Sequence, residues 1–227
     1  MLDSLPEPSP LLFWGFVVLP LLMAAGIVVA IGRCVGALAG RIAAVVAVVW
    51  IGLTGVLGWG GHLDVWAPPR MFFLLAPIVV FLAWAGRSSW AERLGDLPIK
   101  LLVGFQSFRI VVELLLHAAV LEGVAHPNMT WSGTNLDIIP GVTALLLVPF
   151  VPRMDRRWLQ LWNLSMAGVL VVTVVTGMLA APTPFRQIAG DPANGFVAAF
   201  PFVWLPTVLV SAAWLGHIVL YRRLRRT

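Results

Sequence analysis

Seven apolar runs, separated by short segments that carry nearly all of the charge, constrain this chain more than any other feature. They cover about residues 11–32, 42–59, 69–86, 99–121, 137–152, 158–180 and 201–221. A helix needs about 20 apolar residues to cross a bilayer, and most of the runs approach that length. The third and fifth are shorter and hold Pro77, Pro140 and Pro149. Apolar residues make up 60% of the chain and charged residues 11%, against about 45–50% and about 25% in soluble domains. So few charges cannot cover a soluble surface of this size. Lipid is the expected solvent, and one all-α bundle of seven transmembrane helices over residues 1–227 is the expected fold.

The formal charge of +5 would suggest nucleic acid in a soluble protein. Here the basic residues sit between apolar runs, so they read as topology signals and nucleic acid is excluded. With the N-terminus outside, the cytoplasmic segments hold twelve: Arg33, Arg41, Arg87, Arg93, Lys100, Arg153, Arg156, Arg157, Arg222, Arg223, Arg225 and Arg226. The external segments hold two, Arg70 and Arg186. That bias fits the positive-inside rule and places the C-terminus in the cytoplasm. The first ten residues carry no Lys or Arg, so the first run is expected to remain as a span rather than act as a cleaved signal. Ala, Val, Gly and Arg are abundant and lysine occurs once. This usage points to a GC-rich bacterial genome and a multi-pass protein of the cytoplasmic (inner) membrane.

Trp14, Trp59, Trp66, Trp131 and Trp204 fall near the outer boundary, and Trp84, Trp90, Trp158 and Trp162 near the inner one, where amphipathic rings settle. Trp50 and Trp214 lie deeper, as packing residues. Gly32, Gly36 and Gly40 recur every four residues. Two readings stand: close approach of the first two helices, or a flexible turn between them.

The fourth run carries the chemistry. Gln106, Arg109, Glu113 and His117 follow at intervals of three, four and four, which puts them on one helix face. Ionised groups in hydrocarbon are costly and are functional by default, so this stripe should face the bundle interior. At ~1.5 Å per residue from Lys100, Arg109 lies ~14 Å deep, Glu113 ~20 Å and His117 ~26 Å. Asn163 and His217 should sit at roughly the depth of Gln106. The competing reading is architectural: Arg109 and Glu113 pair along the helix and tie neighbouring helices together.

Several chemistries are set aside. A retinal Schiff base needs a lysine in the last span, and the single lysine is Lys100. His117 and His217 stand at different depths, so they cannot share a haem, although a haem held by one histidine stays open. His62, His117, His126, Asp64 and Glu122 offer zinc ligands but lack a compact spacing, so no metal site is expected. Cys34 is the only cysteine, which excludes an internal disulfide. Nothing in the sequence names a cofactor.

The segments FQSFRIVVE, MTWSGTNLDI, LWN, PTPFR and FPFVWLP with a late His217 follow in order over about residues 104–225. Together they resemble a family of uncharacterised bacterial integral membrane proteins with seven helices. The resemblance implies an architecture and a set of positions: Gln106, Arg109, Glu113, Thr130, Gly133, Asn135, Asp137, Asn163, Arg186 and His217. It departs at Leu136, where the family carries an aromatic residue. The external segment 129–141 is expected either to cap the fifth helix through Asp137 or to close as a lid over Glu113 and His117, with Arg186 approaching from the next external loop.

The expected function is binding, and transport, of a small polar or ionic solute or a lipid headgroup in an outward-facing polar pocket. Its residues would be Gln106, Arg109, Glu113, His117, Asn135, Asp137, Asn163, Arg186 and His217. Arg109 would anchor an anionic group, and Glu113 and His117 would handle protons. Two alternatives stand beside it. One is an embedded enzyme acting on a lipid or isoprenoid, and the other an accessory subunit with a membrane-protein partner.

Overall fold

A computed structural model describes residues 6–226. Among them the secondary structure is helical throughout, with no strand. Nine α-helices follow in order: α1 (Pro10–Cys34), α2 (Ala37–Trp59), α3 (Arg70–Ala85), α4 (Ser89–Leu94), α5 (Ile99–Gly104), α6 (Phe108–Leu121), α7 (Ile138–Leu147), α8 (Arg156–Ala180) and α9 (Val210–Arg225). A π turn over Leu205–Leu209 runs into α9. Four helices are long and apolar enough to cross a membrane: α1, α2, α8 and the continuous Leu205–Arg225. The chain is thus an all-helical membrane protein.

The seven apolar runs map onto helices with informative differences. The second begins at Ala37 rather than 42, because Arg41 interrupts the hydropathy but not the helix. The fourth is α5 and α6, joined through a tighter 3-10 turn at Phe105–Ser107. The fifth is the larger departure. Its helix α7 has only 10 residues, or ~15 Å, about half the hydrocarbon thickness of ~30 Å. Pro149 and Pro152 follow it, and the chain turns there through Val151–Arg153.

Local chemistry explains the ends. Ser9 caps α1 by accepting from the Leu12 N–H at 3.3 Å, and Pro10 takes the first position, where no N–H is needed. Ser9 is held in turn by Glu122, whose carboxylate accepts from its N–H at 2.8 Å and its hydroxyl at 2.6 Å. This contact ties the start of α1 to the end of α6. Asp155 caps α8 through the Arg157 N–H at 2.7 Å.

Glycines set the close contacts. Gly36 has φ +135° and turns the chain between α1 and α2. A Cβ on Gly40 would stand 2.7 Å from the Gly32 Cα. The close approach is made by Gly32 and Gly40, while Gly36 makes the turn. Gly141 brings α7 onto the α6 backbone, since a Cβ there would lie 2.9 Å from the Ile110 nitrogen.

Three apolar clusters fill the bundle. One gathers Phe16, Val112, Leu116, Leu170 and Leu209, a second Val103, Leu159, Leu215 and Leu220, and a third Leu63, Met71, Val203, Trp204 and Val208. The polar side chains of Gln106, Arg109, Asn163 and His217 are all buried as well. Trp204 is packed inside the bundle. It is 6% exposed and donates its indole N–H to the Ile51 carbonyl at 3.1 Å, so it is a packing residue. Trp50 packs deep, as expected, and donates to the Thr207 carbonyl at 3.1 Å.

Candidate functional site

The segment 122–137 leaves the end of α6 and runs back along that same helix. Trp131 stacks on His117 with ring centroids 4.4 Å apart. One turn earlier in α6, Glu113 accepts from the Trp131 N–H at 2.8 Å and from the Asn135 amide at 3.0 Å. Another turn earlier, Arg109 meets Asp137. The external motif and the α6 stripe, distant in sequence, are thus joined rung by rung. Gly133 permits the fold, because a Cβ there would lie 2.4 Å from the Pro127 carbonyl oxygen.

Arg109 is the centre. Its Nε donates to Asp137 Oδ2 at 2.9 Å, and its Nη2 donates to Asp137 Oδ1. This forked geometry is the strongest that arginine makes with a carboxylate. Its Nη1 lies 3.2 Å from His217 Nε2. On the other side of that ring, His217 Nδ1 is 2.8 Å from Asn163 Oδ1, while the Asn163 amide donates to the His217 carbonyl at 3.1 Å. The partners fix the tautomer. Nδ1 carries the proton and donates to the Asn163 oxygen, and Nε2 accepts from the guanidinium.

This arrangement corrects three sequence expectations. Arg109 does not pair with Glu113 along α6; its counter-ion is Asp137, from the returning segment. Asp137 sits at the N-cap position of α7 but makes no capping hydrogen bond with its side chain, because Arg109 and Thr173 occupy its oxygens. Arg186 does not approach the stripe. Its guanidinium closes its own loop, donating to the carbonyls of Ile188, at 3.1 Å, and Gly190.

The other positions are placed as follows. Asn135 is a hub: its amide donates to Glu113 and to the Met129 carbonyl, and its Oδ1 accepts from the Asp137 N–H at 3.0 Å and from the Thr173 hydroxyl at 2.8 Å. Gln106 lies outside this network and donates to the Ala213 carbonyl at 3.1 Å. The zinc candidates are committed elsewhere: Glu122 to Ser9, Asp64 to the Trp66 indole at 2.9 Å, and His126 to the Ala189 carbonyl and the Asn128 N–H.

A cavity of about 130 Å³ opens beside the Arg109–Asp137 pair. Its walls are mostly apolar, with Phe108, Val112, Leu116, Leu170, Val174 and Leu209 among them. Of the nine sequence-predicted site residues, only Arg109 and Asp137 line it. Two polar neighbours that sequence reading missed join them, Thr173 and Asn194. The Asn194 amide nitrogen donates to the Gly177 carbonyl at 2.8 Å, while its buried Oδ1 has no hydrogen-bond partner. In sequence Thr173 is an ordinary hydroxyl in a Val-rich run, and Asn194 lies in a Gly- and Pro-rich loop. Neither carries a signal that separates it from background.

No family model, curated protein or solved structure matches the chain.

Proposed function

We propose that this chain is a multi-pass protein of a bacterial cytoplasmic membrane that binds an amphipathic molecule inside its bundle. Its hydrocarbon would occupy the cavity between α3, α6, α8 and the Leu205–Leu209 turn, and a hydrogen-bonding head would meet Arg109, Asp137 and Asn194. In this reading all seven apolar segments enter the membrane, with the N-terminus outside and the C-terminus in the cytoplasm. The segment 122–137 is re-entrant, and α7 spans only half the bilayer. Twelve basic residues on one side against two on the other support that orientation. Irregular backbone at membrane depth is tolerated where protein buries it, as the Glu113 and Asn135 contacts do here.

The observation that carries the reading is an apolar cavity with one polar edge. A fully polar solute would leave most of those walls without a partner. A cavity of about 150 Å³ lined by apolar side chains admits a benzene-sized group, and 130 Å³ is close to that. Arginine has five N–H donors. Three are used here, two by Asp137 and one by His217, which leaves two for an acceptor on the head. Asn194 Oδ1, on a residue lining the same cavity, offers an unused acceptor, so a head that carries both an acceptor and a hydroxyl donor finds partners for each. Transport of that molecule is the wider proposal. Catalysis by Glu113 has less support, because both its oxygens hold the returning segment and it does not line the cavity.

The test is native mass spectrometry of the protein extracted gently from its own membrane. A discrete added mass is expected on the wild-type chain and not on Val112→Phe, which fills the cavity. An unfolding temperature for that variant within a few degrees of wild type shows that the fold is kept. A bare wild-type mass refutes the reading, and a mass that includes a second polypeptide favours the accessory-subunit alternative.

A further inference from the structure

A second, larger hollow lies apart from this cavity. It is a groove of about 560 Å³. Helix α2 packs on α1 and helix α3 on α9, and the groove runs between the two pairs. Its α2 wall extends from Ala39 to Ile51, ~18 Å at 1.5 Å per residue. That is close to one leaflet, half of the ~30 Å hydrocarbon layer. Ile42, Val46, Phe81 and Trp84 on its walls are exposed on the bundle surface, so the groove opens sideways toward lipid. The hydroxyls on its floor are already satisfied: Thr207 donates to the Val203 carbonyl and Ser211 to the Thr207 carbonyl. The floor therefore offers nothing to a polar solute.

One end is different. Trp84 and Trp90 mark it, with Trp90 stacked on Phe81 at 6.0 Å. The Trp90 indole nitrogen is buried and has no acceptor. Arg87 follows α3 and donates to the Ala83 carbonyl at 3.0 Å. Arg93, in α4, reaches the turn between α1 and α2 and donates to the Val35 carbonyl at 3.4 Å. Arg33 and Arg41 flank that turn. The nearby acids are already paired, Glu92 with Arg222 and Arg226 and Asp96 with Arg226. None of Arg33, Arg41, Arg87 and Arg93 forms an ion pair with a carboxylate among the described residues.

We propose that this groove holds one anionic phospholipid, with its phosphate at Arg87 and Arg93 and an acyl chain along α2 and α3. The unpaired cations select the charge, and the leaflet-long apolar trough takes the chain. The site shares no lining residue with the Arg109 cavity and stands without it.

The experiment titrates the detergent-purified full chain with phosphatidylglycerol or with phosphatidylcholine and counts bound lipids by native mass spectrometry. One phosphatidylglycerol should be retained under activation that strips phosphatidylcholine. An arginine beside an anionic headgroup is worth about fivefold, so Arg87→Gln with Arg93→Gln should weaken phosphatidylglycerol binding about 30-fold and leave phosphatidylcholine unchanged. These side chains are exposed, and an unchanged unfolding curve verifies the fold. Ala47→Phe, on the groove wall, should reduce retention of both lipids. Val112→Phe should leave phosphatidylglycerol in place, which separates this site from the cavity. Equal retention of the two lipids by the wild-type chain overturns the proposal, as does unchanged phosphatidylglycerol binding in the double arginine variant.

Discussion

Asp137→Asn is the most informative single change. It keeps the shape of the side chain and removes the charge that Arg109 depends on. Arg109 is 1% exposed and Asp137 7%, so water cannot replace the lost carboxylate. Breaking a buried pair in this way costs about 3–5 kcal/mol. A chain of this length loses about 2–4 °C of unfolding temperature per kcal/mol, so the expected drop is roughly 6–20 °C in detergent, followed by tryptophan fluorescence. Arg109→Met combined with Asp137→Leu removes both charges together. Such replacements are often close to neutral, but His217 Nε2 loses its donor here, a cost of about 1–3 kcal/mol. The double variant should therefore fall between wild type and Asp137→Asn. An Asp137→Asn protein that unfolds within 2 °C of wild type would refute the buried pair. A double variant no more stable than the single would refute charge as the cause.

Glu113→Gln keeps one acceptor oxygen but turns an amide donor toward one of two existing donors, the Trp131 N–H or the Asn135 amide. It should loosen residues 122–137, seen as faster proteolysis and hydrogen exchange there, at about 1–3 kcal/mol. Gly133→Ala drives a Cβ into the Pro127 carbonyl and should open the same segment; unchanged protection would count against the described turn. Gly40→Ala meets backbone at 2.7 Å and should lower stability by about 1–3 kcal/mol. Gly168→Ala meets nothing within 4 Å and should be neutral or stabilising by up to about 1 kcal/mol in a thermal melt.

The polar stripe was legible in sequence because helical spacing alone puts Gln106, in the 3-10 turn, and Arg109, Glu113 and His117, in α6, on one face. So was the involvement of Asn135, Asp137, Asn163 and His217, all of which the structure brings to α6 or to its neighbours. What spacing could not reveal is pairing. Helical geometry offers Glu113 to Arg109, and only the return of the chain shows that Asp137, 28 residues away, takes that place. The short α7 is hidden for a related reason. Hydropathy reads 137–152 as one apolar run, yet the helix breaks before Pro149. The burial of Trp204 was not legible, because aromatic position in sequence bears on depth, not on whether the ring faces lipid or protein. Asn194 could not be found at all, since its role comes from a cavity assembled by α3, α6, α8 and α9.

The pairing also changes what each hollow can select. A lone buried arginine would draw an anion, as the sequence suggested for Arg109. With Asp137 forked onto it, the pair is neutral, and an anionic head at the cavity edge would meet the Asp137 charge as well as the guanidinium it seeks. Such a ligand would need Asp137 to leave, and Asp137 is also held by Thr173 and by the backbone contact with Asn135. A neutral head avoids that cost and still finds two N–H donors and the Asn194 oxygen. At the arginine-rich end of the lateral groove the logic reverses. The acids there are consumed by Arg222 and Arg226, so the remaining arginines present uncompensated charge to the membrane surface. The two hollows therefore differ in electrostatics as well as in size, which is why a neutral amphiphile is proposed for the inner one and an anionic lipid for the outer one.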